Sequence, residues 1–211
     1  MHRHFMPIIF QFAAELTGPG ARVLDVGCGN GYAAGQFLAL GCTVVGIDSS
    51  ESGIHLARKS YPDARFEQMP ERETLLAELA EAPFDLVVST EVLEHLYDPR
   101  AMAWGCFNAL RPGGKFICTT PYHGYLKNLL IALAGRWNAH ANPLWDGGHI
   151  KLWSRGTLSL LLTEVGFKNL CFKGAGRIPR LWMTMVMSGE KPGNLVRRPV
   201  KPSETPARFS E

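Results

Sequence analysis

A short apolar run that ends in three spaced glycines constrains the fold of this chain more than any other feature. Residues 22–26 are mostly apolar, and residues 25–31 read DVGCGNG before a helix-forming segment at 32–40. Glycines let the backbone turn sharply and let a ligand approach main-chain atoms closely. The pattern predicts a buried parallel strand, a tight loop and a helix, with a nucleotide-like ligand over the loop.

The spacing of the loop narrows the choice of ligand. A bare glycine loop also suits nicotinamide and flavin enzymes, but here Asp25 precedes the glycines and the spacing is DxGxGxG instead of GxGxxG. A second apolar run ends at Asp48, where a carboxylate accepts hydrogen bonds from the two ribose hydroxyls of a nucleoside. Dinucleotide enzymes carry an acid at that position too, so Asp48 alone leaves the cofactor open.

Strands and helices alternate along most of the chain, which predicts a parallel sheet covered on both faces. We expect strands at 22–26, 43–47, 64–67, 84–89, 115–119, 167–173 and 181–188. We expect helices at 6–16, 32–40, 50–60, 71–80, 98–110 and 154–166, with a tight turn at 111–114. Residues 121–153 interrupt the alternation and form an inserted segment.

Size and charge predict one domain and a separate tail. The 211 residues are 46% hydrophobic, enough for one core spanning 1–190. The Pro- and Arg-rich residues 191–211 carry all of the net charge of +3 and are expected to be flexible. A neutral folded part argues against nucleic acid as a partner. No signal peptide or membrane-length apolar run is present, so we expect a cytoplasmic protein.

Four motifs together resemble those of class I S-adenosylmethionine-dependent methyltransferases. They are VLDVGCGNGY at 23–32, VVGID at 44–48, FDLVVSTEVLEHL at 84–96 and LRPGGKFICTTP at 110–121. Their order and spacing match over about 23–190. The resemblance implies a Rossmann-like three-layer α/β/α fold with a seven-stranded, mostly parallel sheet whose last strand is antiparallel.

The resemblance also implies which residues bind S-adenosylmethionine. The glycines face its methionyl and ribose parts, Asp48 holds the ribose, Ser49 and the Gln68-Met69 pair lie by the adenine, and Thr90 faces the methionine. One departure is the FEQMP loop at 66–70, which lacks the aspartate that many relatives have there. The predicted cofactor-binding residues are Asp25, Gly27, Gly29, Gly31, Asp48, Ser49, Gln68, Met69 and Thr90.

A second candidate cluster follows the fourth strand, in the sequence EVLEH. A helix beginning there would place Glu91, Glu94 and His95 on one face, and carboxylate and imidazole ligands suit a divalent ion such as Mg²⁺, Mn²⁺ or Zn²⁺. His149 would be the fourth ligand. The pattern resembles the ubiquinone-biosynthesis O-methyltransferases and the Hen-type small-RNA 2′-O-methyltransferases. That resemblance implies a metal at Glu91, Glu94, His95 and His149, with catalysis by Glu91, His95 and His149.

Metal-free interpretations of this cluster stay open. The EVLEH sequence also occurs in class I methyltransferases without a known metal, where Glu91 shapes the cofactor pocket. In such an enzyme, His95 is an ordinary base or a packing residue. His123, after the fifth strand, is either a further base or an exposed loop residue.

The inserted segment is expected to serve the methyl acceptor. Residues 125–137 carry leucines at helical spacing, and the ubiquinone enzymes have a similar insertion over the acceptor site. It is therefore a candidate lid or peripheral membrane contact, or else a helix packed on its own domain. Four tryptophans are candidates to line the acceptor pocket or to fill the core: Trp137, Trp145, Trp153 and Trp182.

These inferences predict methyl transfer from S-adenosylmethionine to a hydroxyl group of a small or lipid-like acceptor, assisted by a divalent ion. One alternative is a metal-free O-, N- or C-methyltransferase. Another is a non-catalytic partner that binds S-adenosylmethionine and regulates another methyltransferase. A monomer and a homodimer are both compatible with the sequence.

Overall fold

Seven strands form one sheet in the computed structural model, which describes residues 4–70, 74–142 and 144–193. The strands are β1 Arg22–Val26, β2 Thr43–Asp48, β3 Arg65–Gln68, β4 Phe84–Thr90, β5 Leu110–Pro121, β6 Lys168–Ala175 and β7 Thr184–Glu190. Their order is β3-β2-β1-β4-β5-β7-β6. β1 to β5 are parallel, whereas β7 is antiparallel to both neighbours. The predicted fold is confirmed.

Helices cover both faces of this sheet, because its central strands are apolar on both sides. The helices are α1 Met6–Ala13, α2 Tyr32–Leu38, α3 Glu51–Ser60, α4 Leu75–Leu79, α5 Pro99–Ala109, α6 Tyr125–Leu133, α7 Trp137–His140 and α8 Arg155–Val165, with a 3₁₀ turn at Ala14–Leu16. One core lies under α1, α2 and α3, and the other lies under α5 and α8. This three-layer arrangement leaves the carboxyl ends of β1, β2 and β4 at one edge, where a ligand can bind.

Polar caps set several helix boundaries where the sequence predicts them. The side chains of Ser50, Asp98 and Ser154 accept hydrogen bonds from the first turns of α3, α5 and α8, respectively. Such caps satisfy backbone N–H groups that have no partner within the helix. At the other end of α8, Gly166 takes a left-handed conformation, which ends the helix at the predicted place.

Two predicted boundaries are wrong, and a third falls partly on residues outside the described ones. The turn expected at 111–114 is part of β5, because Gly113 N donates to Lys191 O and Lys191 N donates to Gly114 O beyond the end of β7. β7 begins at Thr184, after a turn in which Leu181 N bonds Ile178 O. α4 begins at Leu75, while 71–73 lie outside the described residues. Most of the predicted tail, 194–211, lies outside them too.

The inserted segment contains two short helices whose apolar residues face outward. α6 and α7 are separated near Gly135, which has a φ of +63°. The exposed apolar side chains here include Leu126, Leu129, Leu130, Leu133, Trp137 and Trp145. Of the two open interpretations, these exposures favour the lid or membrane contact over a helix packed by its leucines on the domain. Within the described residues, no helix is both long and apolar enough to cross a membrane.

Candidate functional site

The glycine loop after β1 is held by main-chain contacts with β2. Gly27 N and Cys28 N both donate to Ile47 O, and Gly29 N donates to Asp48 Oδ2 at 2.8 Å. Gly27 and Gly29 have φ values of +74° and +51°, which L side chains rarely adopt. A Cβ at Gly27 would lie 2.3 Å from Val92 Cγ2, whereas at Gly29 it would meet no atom within 4 Å. The loop is therefore packed behind Gly27 and open over Gly29.

An open cavity of about 560 Å³ lies over this loop, within the size range of sites for drug-sized ligands and cofactors. It extends from the glycine loop and the end of β2 to the turn after β4. Its wall is formed by Gly27, Cys28, Gly29, Asn30, Tyr32, Ala33, Asp48, Ser49, Thr90, Glu91, Val92, His95 and Leu96. The fold thus brings seven of the predicted site residues into one cavity wall.

Asp48 is the acid at the end of β2 in this wall. Its Oδ2 accepts the bond from Gly29 N, and its Oδ1 accepts one from Ser50 N at 2.7 Å. Two carboxylate oxygens offer about four acceptor positions, so two remain for ligand hydroxyls. The expected ribose-binding role of Asp48 fits this geometry and stays a prediction.

Asp25 lies beneath the loop and not in the cavity wall. Its side chain is fully buried, and Oδ2 accepts a hydrogen bond from Ala34 N in the first turn of α2 at 3.1 Å. Burial raises the pKa of this carboxyl to about 7, a net value that includes a lowering by the Ala34 hydrogen bond and a smaller rise from the charge of Asp48. Asp25 therefore supports the loop from behind.

Three other predicted cofactor residues lie outside the cavity wall. Gly31, with a φ of +80°, is the N-cap of α2, and its Cα faces Tyr61, Ala57 and Phe66. Gln68 Nε2 donates to Ser49 O at 3.3 Å, and Met69 N donates to Asp48 O. Both residues are thus tied to the end of β2 that Asp48 and Ser49 occupy. Their adenine contacts stay predictions.

The expected helix at 91–95 does not form. Glu91 has a φ of +56°, and its N–H donates to Thr119 O and to Thr119 Oγ1. The Thr119 hydroxyl in turn donates to Glu91 Oε1 at 2.8 Å. Thr119 lies on β5, so a neighbouring strand captures both the backbone and the side chain of Glu91. Burial raises the pKa of Glu91.

The turn instead directs Glu94 into the protein. Its side chain is 1% exposed, and within the described residues neither oxygen accepts a hydrogen bond of normal geometry. Burial and, less strongly, the charge of Glu91 together raise the pKa of Glu94 to about 8, although the nearby Thr120 hydroxyl acts in the opposite direction. Buried carboxylates without partners are rare because their desolvation is costly. We therefore expect Glu94 either to bind a cation or to hold a proton.

Two imidazoles lie beside Glu94. His95 Nε2 is 4.0 Å from Glu94 Oε1, and the rings of His95 and His149 pack edge to face with centroids 5.0 Å apart. One ligand atom from each of Glu94, His95 and His149 lies within 4.8 Å of the other two. Partial burial and the neighbouring histidines lower the pKa of His149. One carboxylate and two imidazoles are a donor set that suits a divalent transition metal.

Main-chain contacts explain why His149 reaches a site 54 residues away from His95. Ile150 N and Lys151 N both donate to Glu94 O, at 2.8 and 3.0 Å. Gly148 O lies 3.2 Å from His95 Nδ1. Since a carbonyl can only accept, His95 Nδ1 carries the proton of this bond, and Nε2 of the neutral ring is left with its lone pair. The inserted segment thus orients both histidines.

A family model described as a methyltransferase domain matches residues 2–171. The chain belongs to the S-adenosylmethionine-dependent methyltransferases. Its cofactor is S-adenosylmethionine, and the open space over Gly29 beside Asp48 fits a nucleoside-bearing ligand. The cavity also extends to Glu91 and His95, which is compatible with the methyltransferase activity of this family.

Curated relatives carry the name ubiquinone biosynthesis O-methyltransferase. One from Dinoroseobacter shibae is 32% identical over 178 residues, covering 79% of this chain and 69% of the relative. One from Cereibacter sphaeroides is 30% identical and covers 92% of this chain and 81% of the relative. Among solved structures, the magnesium protoporphyrin IX methyltransferase of Synechocystis with bound SAH is 18% identical, with a TM-score of 0.63 and coverage of 88% and 80%. This last similarity concerns the fold.

The sequence led to a wrong interpretation of one buried residue near the site, His123, and did not single out another, Lys127. His123 is 5% exposed, so its interpretation as an exposed loop residue is wrong. Burial and, less strongly, the charge of Lys127 together lower its pKa to about 4. Lys127 itself was not a candidate. The one available signal was a lysine at the third position of a mostly apolar helix.

Proposed function

We propose that this methyltransferase transfers the methyl group of S-adenosylmethionine to a hydroxyl group of a small or lipid-like acceptor, with a divalent ion held by Glu94, His95 and His149. The observation that carries the proposal is the convergence of these three side chains, of which His95 lines the cofactor cavity. Relatives named as O-methyltransferases support a hydroxyl as the acceptor.

Transfer from a sulfonium is an in-line displacement, in which the acceptor oxygen attacks the methyl carbon as it loses its proton. His95 lines the cavity and presents Nε2 with a free lone pair, so it would either ligate the ion or, where no ion is bound, accept that proton. His149, held neutral by its surroundings, can do the same. A divalent ion bound here would supply Lewis acidity that lowers the pKa of the hydroxyl.

Glu91 as a fourth metal ligand stays a prediction. Its carboxylate already accepts the hydrogen bond from the Thr119 hydroxyl, and its pKa is raised by burial. Glu91 lies in the cavity wall, between the cofactor loop and Glu94. In the proposal its side chain therefore separates the bound cofactor from the acceptor.

The outward leucines of α6 support a lipid-like acceptor presented at a membrane surface. Leu129 and Leu130 are 38% and 45% exposed on a helix next to the proposed reaction centre. An apolar helix face next to a binding site can lie in the interfacial region of a bilayer. We therefore include peripheral membrane contact through 125–137 in the proposal. Location in the cytoplasm and the oligomeric state stay predictions.

Calorimetric titration with S-adenosylhomocysteine, with and without EDTA, combined with elemental analysis, tests the proposal. We expect cofactor binding and about one divalent ion per chain, with the ion lost in Glu94→Gln and in His149→Ala but kept in the exposed control Glu51→Gln. Turnover should fall in Glu94→Gln by about a hundredfold or more. Full turnover of Glu94→Gln would remove the metal from the mechanism.

A metal-free methyltransferase is the second candidate, favoured by the hydrogen bond that leaves His95 Nε2 available as a base. In that case cofactor binds, no ion is found even after Mg²⁺, Mn²⁺ or Zn²⁺ is added, and nitrogen and carbon acceptors become candidates. His95→Ala would then abolish turnover, whereas Glu94→Gln would spare it. Cofactor binding with no turnover on any acceptor would indicate a regulatory partner.

A further inference from the structure

Helix α6 buries a lysine and exposes its leucines, the reverse of an ordinary surface helix. All nine residues of α6 belong to the described part of the chain, and among them Lys127 is the one buried side chain, with 8% exposed. Lysine is almost never this buried unless its charge is paired. The inner face of the helix is therefore built for a polar contact.

The contact that Lys127 makes leaves its charge without an ionic partner. Within the described residues its Nζ donates one hydrogen bond, to Tyr122 O at 2.7 Å. An ammonium has three donors, so two are left, and a carbonyl brings no counter-charge. Burial and, less strongly, the positive charge of Arg177 together lower the pKa of Lys127 to about 8.

Arg177 adds a second positive charge near Lys127. The imidazoles of His123, His140 and His149 also lie within electrostatic range of it, but their lowered pKa values leave them neutral at pH 7. The acid that acts on Lys127 is Glu91, whose carboxylate is already bonded to Thr119. The surroundings of Lys127 thus combine two cations, Lys127 and Arg177, with the unused donors of the lysine.

The N-terminus of α6 also favours the binding of an anion. The helix begins after Gly124, and no side chain among the described residues caps it. Unpaired backbone N–H groups at a helix N-terminus attract anions, while a lysine in the first turn is unfavourable for the helix dipole. An anion bound between them would satisfy both the helix and the lysine.

We propose that Lys127 and the N-terminus of α6 bind an anionic group, a carboxylate or a phosphate, on the methyl acceptor. The inference rests on the proposed function, because the same acceptor must place its hydroxyl at Glu94, His95 and His149. Lys127 lies within electrostatic range of both Glu91 and His149, so the two subsites are adjacent. The acceptor is accordingly a hydroxylated acid whose anionic group binds Lys127.

A matched pair of probes tests the charge requirement. The complex with S-adenosylhomocysteine is titrated with 3,4-dihydroxybenzoate and with the neutral 3,4-dihydroxybenzamide, and methyl transfer to each is measured with S-adenosylmethionine. In the unmodified enzyme we expect the acid to be favoured about tenfold or more in affinity and in kcat/KM. Lys127→Gln should bring that ratio close to one, Lys127→Arg should keep part of it, and the exposed control Lys59→Gln should leave it unchanged. Equal ratios in the unmodified enzyme and Lys127→Gln would overturn the proposal.

A second measurement separates this inference from the proposed function. Acetylation of Lys127 is followed by mass spectrometry in the cofactor complex, with benzoate or phenyl phosphate added at constant ionic strength. Protection of Lys127, but not of Lys59, supports the anion subsite even if no hydroxyl is methylated, and the more protective probe identifies the anion. No protection by either probe overturns the subsite, while methylation of the neutral probe would leave the proposed function standing.

Discussion

The cofactor half and the acceptor half of the site are built in different ways. The cofactor half is a continuous motif, in which the glycine loop bonds to the end of the adjacent strand β2. The acceptor half joins a turn after β4 to a segment more than 50 residues away, through Glu94 O and the N–H groups of Ile150 and Lys151. Local geometry therefore sets the cofactor site, whereas long-range contacts set the chemistry. Each of the following experiments perturbs one half of the site.

The largest expected effect is on the cofactor half. Gly27→Ala adds a methyl group 2.3 Å from Val92 Cγ2 at a φ of +74°, so the loop must shift. We expect affinity for S-adenosylhomocysteine to fall by more than about a hundredfold by calorimetry, with the fold retained by circular dichroism. Gly135→Ala, also at positive φ but with open space around it, is the control and should bind normally. Near-normal binding by Gly27→Ala would show that the loop is adaptable.

Asp48→Ala should weaken the same half less severely. The substitution removes an acceptor that faces the cavity and frees Gly29 N and Ser50 N. Loss of hydrogen bonds to a charged group predicts about thirtyfold weaker cofactor binding. Exposed Asp63→Ala serves as the control. Unchanged affinity in Asp48→Ala would remove the ribose assignment.

The raised pKa of Glu94 predicts that the stability of the protein depends on pH through the acceptor half of the site. Its pKa is raised from 4.5 to about 8, so the folded protein holds a proton that the unfolded chain releases. In EDTA-treated protein this contribution to stability is fully present below pH 4.5 and is lost as pH rises through 8. Between these values the free energy of unfolding should fall by up to about 1.4 kcal/mol per pH unit.

Urea denaturation of the unmodified protein and of Glu94→Gln measures this slope. Glutamine does not titrate, so the variant should show a flatter profile over the same range, with cofactor affinity unchanged. Parallel profiles for the two proteins would mean that Glu94 titrates normally. A divalent ion that binds the site should also flatten the profile of the unmodified protein, because it favours the ionised carboxylate.

The smallest expected effect concerns the outer surface of the acceptor half. Leu129→Ser combined with Leu130→Ser should reduce co-sedimentation with phosphatidylcholine–phosphatidylglycerol vesicles several-fold, because apolar area available to the bilayer is lost. Exposed Leu56→Ser combined with Leu160→Ser is the control. Stability should change by no more than about 1 kcal/mol in either variant. Equal vesicle binding by both variants would contradict membrane contact through α6.

The sequence predicts what depends on neighbours along the chain. Strand β1, the glycine loop and the predicted starts of the helices near Ser50 and Ser154 match, because each is decided within a few residues. The turn at Glu91 was expected to be helical, since the spacing of EVLEH suits a helix. The competing partner, Thr119, lies 28 residues away on another strand. Contacts between residues so far apart in the sequence produce no local sequence pattern from which they could be predicted.

The same reason applies to the acceptor half. The resemblance to known families paired His149 with Glu94 and His95, but the contacts that hold them together are main-chain bonds to Glu94 O, which no side-chain pattern reveals. In α6, the helical spacing of the leucines suggested an inward apolar face. The structure turns Lys127 inward instead, because the surroundings it meets there are polar.

The bonds from Ile150 and Lys151 to Glu94 O have a consequence for how this enzyme can diversify. Since main-chain atoms make them, side chains between 125 and 147 can be exchanged without releasing the histidines from their positions. Acceptor preference can then drift by substitution, while the reacting groups keep their spacing. A chimaera carrying a relative's residues 125–147, joined before Gly148, should therefore exchange acceptors while retaining its own cofactor affinity.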